Sequence, residues 1–113
     1  MKLPLDAVIA PEKITGYLLV WRAKGDKSVF LALAGYDPST HDQLLNDLRS
    51  QLLCGDATFE EMNEYGHTFS LRGKLTGPNG RSLLVVTIWM KEHLSGTTKF
   101  ITLYPDRKQK NDL

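Results

Sequence analysis

The chain has 113 residues and a net charge of +1, and its 42% hydrophobic and 24% charged residues are ordinary for a soluble globular protein. This length supports one hydrophobic core, so we expect a single domain over residues 1–113 that folds without a disulfide or a metal ion. The apolar stretches fall short of the ~18 residues that a membrane span requires, so no contact with a membrane is expected.

The first of three predicted helices begins at Pro11, because proline suits the first helical position, where its missing N–H is not needed. This helix is predicted to end near Arg22. Its apolar residues recur every three or four positions, the spacing of one helix face: Ile14, Tyr17, Leu18 and Trp21. Together the three helices make residues 1–55 the helical part of the chain.

The second predicted helix covers residues 27–34, with Asp26 as its N-cap and Gly35 as a left-handed stop at its end. The third starts at a capping box formed by Ser39 and Asp42. Four leucines line one face of this third helix: Leu44, Leu45, Leu48 and Leu52.

The second part of the chain changes to the period of two that is typical of β-strands. We predict strands over residues 65–75, 82–91 and 98–104, with Asn79-Gly80 in a hairpin turn between the first two. The acidic segment 56–64 lacks a clear period and is interpreted as a loop, with at most one helical turn.

The expected fold is therefore α+β: about three N-terminal helices packed on one face of an antiparallel meander sheet of three to four strands over residues 65–105. The tail, residues 106–113, is polar and is expected to fray.

Alternation within the strands predicts which face stays open. In the middle strand the residues expected to face the helices are Leu84, Val86, Ile88 and Met90. The opposite face then collects cations, rings and hydroxyls: Ser70, Arg72, Lys74, Thr87, Trp89, Phe100, Thr102 and Tyr104. Such a face is typical of RNA binding, because cations contact phosphates and each stacked base contributes about 1–3 kcal/mol. Alternatively, Trp89, Phe100 and Tyr104 form a small second core.

The charge distribution agrees with an anion-binding surface in the second part of the chain. Residues 1–65 contain six Lys and Arg against ten Asp and Glu, a net charge of −4, whereas residues 66–113 contain eight against three, a net charge of +5. The alternative is that these charges are scattered over a solvated surface.

The cysteine and histidine content argues against disulfides and metal centres. Cys54 is the only cysteine, which is typical of a reducing compartment, and we expect it to be a small buried residue at a helix end. Pro4 and Asp6 interrupt the N-terminal segment, so it is unlike a signal peptide and a cytoplasmic protein is expected. The three histidines are 26 residues apart and lack zinc-site spacing, so neither a metal site nor another cofactor is predicted.

Cleavage of RNA without a metal ion needs a base for the 2′-hydroxyl, an acid for the leaving oxygen and cations for the phosphate. The residues that supply these groups are Lys27, His67, Arg72, Arg81, Thr102 and Tyr104. Two of them also have structural interpretations, since alternation directs His67 toward the helices and a lysine such as Lys27 usually extends into solvent.

Several motifs resemble a small bacterial domain family whose members occur alone, beside small partner genes and in secreted polymorphic toxins. These motifs are PEKITGYLL at 11–19, GDKSVFLAL at 25–33, YG at 65–66, LTGPNGR at 75–81, Trp89 and TLYP at 102–105. More distantly, the pattern of helices followed by an antiparallel sheet is similar to the barnase–EndoU–colicin–RelE superfamily of metal-independent ribonucleases.

The resemblance implies a toxin-type endoribonuclease whose motif positions are Lys27, Arg81, Trp89, Thr102 and Tyr104. The chain departs from the family at Ser28-Val29 and at residues 21–24, where many members have a longer loop that contains His-Pro. Without that histidine the general base is not identified.

Two hypotheses of function follow. In the first, the protein cleaves RNA, with catalytic residues Lys27, His67, Arg81, Thr102 and Tyr104 and RNA-binding residues Arg72, Lys74, Trp89 and Lys99. In the second it is a non-catalytic binding protein, namely an RNA-binding module, an antitoxin or immunity-like partner, or an inactive toxin relative. A protein antitoxin or immunity partner and a homodimer formed through the Trp89 face are the other expected interactions.

Overall fold

A computed structural model describes residues 1–20 and 27–107 of the chain. Within these ranges, three helices lie in the N-terminal half: α1 (Pro11–Lys13), which continues into a π-helical turn (Ile14–Leu18), α2 (Ser28–Ala32), and α3 (His41–Asp47), which continues into a second π-helical turn (Leu48–Leu52). A short 3-10 turn (Pro38–Thr40) precedes α3.

The ends of these helices follow from local sequence. Pro11 occupies the start of α1, as predicted. Gly35 follows α2 with a φ of +92°, which confirms the left-handed stop. The predicted N-cap Asp26 lies outside the described residues.

The capping box before α3 involves different residues from those predicted. The Asp37 carboxylate accepts the N–H of Ser39 at 2.8 Å, and the Thr40 hydroxyl accepts the N–H of Asp37 at 2.9 Å. Asp37 is therefore the capping residue, and the predicted pair Ser39 and Asp42 is wrong. The chain turns two residues earlier because Pro38 itself begins the helical turn.

The C-terminal part forms one antiparallel sheet of four strands in the order β1-β2-β3-β4. The strands are β1 (Ala57–Met62), β2 (Gly66–Thr76), β3 (Ser82–Glu92) and β4 (Thr98–Pro105). This architecture confirms the α+β class and the meander. The acidic segment interpreted as a loop is strand β1, whose residues beyond Ala57 are all exposed, so the strand has no alternating pattern to detect.

The hydrophobic core lies between the helices and one face of the sheet. The helices contribute Ile14, Leu18, Leu31, Leu44, Leu48 and Leu52, and the sheet contributes Phe69, Leu71, Leu75, Leu83, Val85, Trp89, Phe100 and Leu103. The outward direction predicted for Arg72 on β2 agrees with this packing.

The prediction for the faces of β3 is wrong. Leu83, Val85, Thr87 and Trp89 are all buried in the layer under the helices, and the set Leu84, Val86, Ile88 and Met90 lies on the other face. Both sets are apolar, so the period of two cannot choose between them. The polar atoms on this buried face are paired: the Trp89 indole N–H donates to the Thr87 hydroxyl at 2.8 Å, which itself donates to the Leu71 carbonyl at 2.9 Å.

A bulge in β4 changes the predicted faces of that strand as well. Trp89 lies opposite Phe100, whereas its neighbour Ile88 lies opposite Thr102, so one extra residue is inserted in β4. As a result, Phe100 and Leu103 are both in the core. Simple alternation assigned them to opposite faces.

The hairpin between β2 and β3 agrees with the prediction. Gly80 has a φ of +83°, which the turn requires. The Asn79 side chain donates to the Leu33 carbonyl at 3.1 Å, so the turn is attached to the end of α2. Cys54 is exposed, contrary to expectation, with its sulfur near the Ser50 carbonyl (3.7 Å).

Candidate functional site

The sheet face opposite the helices carries several of the predicted site residues in neighbouring rows. One row runs across the strands as Arg72, Val86 and Tyr104. The next row runs as Ser70, Ile88 and Thr102. This face, which we call the open face, therefore places Arg72, Thr102 and Tyr104 close together, as the sequence predicted.

A cluster of hydroxyls and ammonium groups lies where β4 forms the edge of the sheet. The Tyr17 hydroxyl, from the π-helical turn after α1, lies 3.1 Å from the Thr102 hydroxyl. The Nζ atoms of Lys13 and Lys27 are each 5.8 Å from the centre of the Tyr17 ring. We call these four residues the tyrosine cluster. It connects Lys27 and Thr102, two predicted site residues that are 75 positions apart.

The electrostatic environment favours ionisation of the Tyr17 phenol. The hydrogen bond with Thr102 is the largest influence and lowers the pKa of Tyr17, and the nearby Lys27 and Lys13 lower it further, against an opposing effect of burial. A phenol with a lowered pKa loses its proton more readily than an ordinary tyrosine. The two ammonium groups also attract an anion to the same place.

A cleft on the open face is bordered by Tyr104, which lies two residues after Thr102 on β4. Its volume is about 350 Å³ and it is lined by Glu60, Arg72, Val86, Tyr104, Pro105, Asp106 and Arg107. Val86 is only 1% exposed and forms the floor. Lys74 lines a smaller adjoining depression together with Arg72.

Asp106 fixes the position of Arg72 in this cleft. Its carboxylate is 2% exposed and pairs with an Arg72 Nη atom at 2.5 Å. The residue that was expected to begin a frayed tail is therefore buried and ion-paired, because the arginine on β2 provides a partner for its charge. Residues 108–113 lie outside the described part of the chain.

Three other predicted residues lie apart from the tyrosine cluster. His67 is on the helix-side face of β2, edge-on to His93 with 5.1 Å between ring centres, which agrees with the direction predicted from alternation. Arg81 is exposed in the turn before β3. Lys99 forms an ion pair with Glu92 at 3.0 Å.

Trp89 does not form the predicted stacking surface. Its side chain is 0% exposed and packs edge-on against Phe100, with 5.3 Å between ring centres. An indole enclosed in this way cannot stack on a base, and it offers no face to a second copy of the chain. Tyr104, which is 39% exposed, is the accessible ring on the open face beside the cleft.

Sequence reasoning missed Tyr17 and Glu60 as site residues. Tyr17 was counted as an apolar position of the first helix, although a tyrosine there adds a hydroxyl that leucine would not supply. Glu60 was assigned to a loop, and its position beside the cleft depends on strand β1. The sequence did contain one signal for Tyr17: Lys13 lies one helical turn earlier, so the two side chains are expected to be neighbours on the helix.

Within residues 1–20 and 27–107, no three His, Cys, Asp or Glu side chains are grouped as metal ligands would be. None of the helices in the same ranges is long and apolar enough to cross a membrane.

Comparison with known proteins gives a family and nothing more specific. No curated protein and no solved structure matches the chain. One family model, described as a domain of unknown function (DUF6883), matches residues 4–107, which include α1, the whole sheet and the tyrosine cluster. The chain belongs to the DUF6883 family.

Proposed function

We propose that the protein is a metal-independent endoribonuclease of the toxin type, which cleaves RNA by attack of a 2′-hydroxyl on the adjacent phosphate. The observation that carries this proposal is the tyrosine cluster: a phenol in contact with Thr102 and flanked by Lys13 and Lys27. The reaction needs a group that takes a proton and cations that stabilise the charged phosphorane, and the cluster contains both.

Tyr17 is the general base in this proposal. Its lowered pKa raises the fraction of phenolate available to accept a proton. The 2′-hydroxyl proton passes to the Tyr17 oxygen, the 2′-oxygen forms a bond to phosphorus, and the bond from phosphorus to the 5′-oxygen breaks. Thr102 donates a hydrogen bond to the phenolate and orients it.

Tyr104 is the general acid. It follows Thr102 by two residues on β4, a separation of about 6–7 Å along a strand, and it is exposed on the open face. Its hydroxyl gives a proton to the leaving 5′-oxygen. The products are a 2′,3′-cyclic phosphate and a 5′-hydroxyl end.

The cations have a separate role. The ammonium groups of Lys13 and Lys27 are each 5.8 Å from the centre of the Tyr17 ring, and in this proposal they offset the charge that develops on the phosphate oxygens. Arg72, which is held in place by Asp106, lies one row further along the open face. In this proposal it contacts the part of the RNA next to the cleaved phosphate.

The proposal is tested with a fluorescently labelled single-stranded RNA in buffer containing EDTA. We expect the wild-type protein to cleave this RNA and to leave the same sequence made of DNA intact, since DNA lacks the 2′-hydroxyl. Tyr17→Phe removes the base and should lower the cleavage rate about 100-fold or more. Thr102→Val should also lower it, by a smaller factor.

Thr58→Val is the matched control, because Thr58 is exposed on the edge strand β1 and outside the tyrosine cluster. It should cleave at the wild-type rate. Cleavage by Tyr17→Phe at the wild-type rate would overturn the assignment of the base. RNA binding without any cleavage would favour the non-catalytic alternative.

A further inference from the structure

We infer that the outer edge of strand β1 is a docking site for a β-strand of a partner protein, and that this strand alternates basic and apolar residues. Among the strands of residues 1–20 and 27–107, β1 is the end strand of the sheet, and its one neighbour is β2. The tyrosine cluster lies at the opposite edge, beside β4. The inference therefore goes beyond the proposed function and does not depend on it.

The N-terminal residues of the chain show that this edge accepts an antiparallel strand. The Ala57 N–H donates to the Met1 carbonyl at 2.7 Å, and the Met1 nitrogen donates to the Ala57 carbonyl at 3.2 Å. Lys2 forms an antiparallel bridge with Asp56. In the part of the chain that the structure describes, this pairing stops at Ala57, and neither a strand nor a bridge covers the outer side of residues 58–62.

The backbone of Phe59 is oriented for the same kind of pairing. In an antiparallel strand, residues two positions apart direct their N–H and C=O groups to the same side. The register from Ala57 to Phe59 is regular, so the Phe59 groups point outward as those of Ala57 do. Outward N–H and C=O groups are the ones to which an added strand bonds.

A bulge in β1 brings its two large apolar side chains to one face. The register shifts between Phe59 and Glu61, so that Phe59 lies opposite Phe69 and Met62 lies opposite His67. Both partners belong to the helix-side face of β2. Phe59 is 51% exposed and Met62 is 64% exposed, so apolar side chains of an added strand can cover both.

The other face of the same edge is acidic. Glu61 lies opposite Thr68 on the open face, and Glu60 borders the cleft on that face. Both are exposed, and neither forms an ion pair within residues 1–20 and 27–107. Basic side chains on this face of an added strand would pair with the two carboxylates. A strand that alternates basic and apolar residues therefore matches both faces of the edge.

The same carboxylates argue against a second copy of the chain as the occupant. Two β1 strands that paired antiparallel would place Glu60 and Glu61 of one copy beside those of the other. Like charges on paired strands destabilise the pairing. The occupant is therefore a different protein, whose strand carries the opposite charge.

The test measures binding of three short peptides to the purified protein by fluorescence anisotropy. The first alternates lysine and valine, the second alternates glutamate and valine, and the third is the first with its backbone amides N-methylated. We expect the first peptide to bind at least tenfold more tightly than either of the others. N-methylation keeps the charge and removes the amide donors, so equal binding of the first and third peptides would show charge attraction without strand pairing and refute the inference.

Two double variants locate the binding site. Glu60→Gln combined with Glu61→Gln should weaken binding of the lysine–valine peptide about fivefold or more. The matched control is Glu12→Gln combined with Asp42→Asn, which removes two exposed carboxylates from α1 and α3 and should bind the peptide as the wild type does. An equal loss in both double variants would assign the binding to net charge and reject the β1 site.

Amide hydrogen exchange followed by NMR identifies the bonded groups. Bound lysine–valine peptide should slow exchange of the Phe59 N–H at least tenfold and leave that of Gly80, in the turn before β3, unchanged. Sedimentation of the protein alone should show a monomer. A dimer in which the Phe59 N–H is protected would identify a second copy as the occupant and contradict the basic partner. RNA is absent from all these measurements, so their outcome is separate from that of the cleavage assay.

Discussion

Tyr17 combines a half-buried ring with a hydroxyl that reaches the last strand of the sheet. In the sequence it continues the apolar spacing of a helix, and its ring is indeed half-buried. Its hydroxyl, however, extends to Thr102 on the last strand of the sheet. A contact between residues 85 positions apart cannot be derived from local periodicity, because it depends on how the helix packs against the sheet edge.

The ionisation of Tyr17 gives a prediction at the scale of one side chain. Thr102→Val removes the hydrogen bond that most lowers the pKa of Tyr17, so this pKa should rise toward its ordinary value of 10.0. A pH titration followed by NMR of ¹³C-labelled tyrosine measures the change. A Tyr17 resonance that titrates at the same pH in wild type and Thr102→Val would contradict the role of the hydrogen bond.

The same shift has a consequence for stability. A group whose pKa is lower in the folded state than in the unfolded state stabilises the fold only as the pH rises through the folded pKa. The stability difference between wild type and Thr102→Val should therefore grow as the pH approaches 10.0, relative to its value at neutral pH. Denaturation at a series of pH values measures this trend, with Thr58→Val as the control.

Secondary-structure elements were predicted better than their faces. The three helices, the strands now called β2, β3 and β4, and the turn at Gly80 all follow from local patterns. The prediction inverted the inward face of β3, because both of its faces are apolar and alternation alone does not choose between them. The bulge in β4 is likewise set by pairing with β3 and leaves no mark on its own sequence.

The attachment of helix to sheet gives a prediction at the scale of elements. Gln51, in the π-helical turn after α3, bonds both backbone groups of Thr76: it accepts the N–H at 2.7 Å and donates to the carbonyl at 3.0 Å. Thr76 is the last residue of β2. Gln51→Ala leaves that N–H without its partner and should lower the free energy of unfolding by about 1–3 kcal/mol.

Chemical denaturation of Gln51→Ala measures this loss. The matched control is Gln43→Ala, since Gln43 is an exposed residue of α3, and its effect should remain within about 0.5 kcal/mol. Equal stabilities of the two variants would mean that the Gln51 bonds do not hold the end of β2 to the helices.

At the scale of the whole molecule, the difference in net charge between the two parts of the chain does not predict which residues supply the cations of the site. The tyrosine cluster takes its lysines from the half with a net charge of −4, and the cleft takes its arginines from the half with a net charge of +5. The fold class could be predicted from the sequence because periodicity is local. The site could be predicted only in part, since Thr102, Tyr104 and Arg72 meet through strand register and Lys27 is connected to Thr102 through Tyr17.

This arrangement predicts how the affinity of the whole protein for RNA depends on salt. Each lysine that neutralises a phosphate releases counterions, so the slope of log affinity against log salt changes by about 0.7 per contact with a single strand. Lys13→Ala combined with Lys27→Ala should therefore make the slope shallower by about 1.4. Fluorescence anisotropy with 2′-O-methyl RNA, which lacks the attacking hydroxyl, measures binding without cleavage.

Lys91→Ala provides the control for this measurement. Lys91 is exposed, and the register of β3 puts it on the helix-side face, opposite Thr98. Lys91→Ala changes the net charge of the protein but leaves the open face unaltered, so the slope should stay near the wild-type value. If Lys91→Ala alters the slope as much per lysine as the double variant does, the RNA responds to the overall charge of the protein, and the tyrosine cluster is not where its phosphates bind.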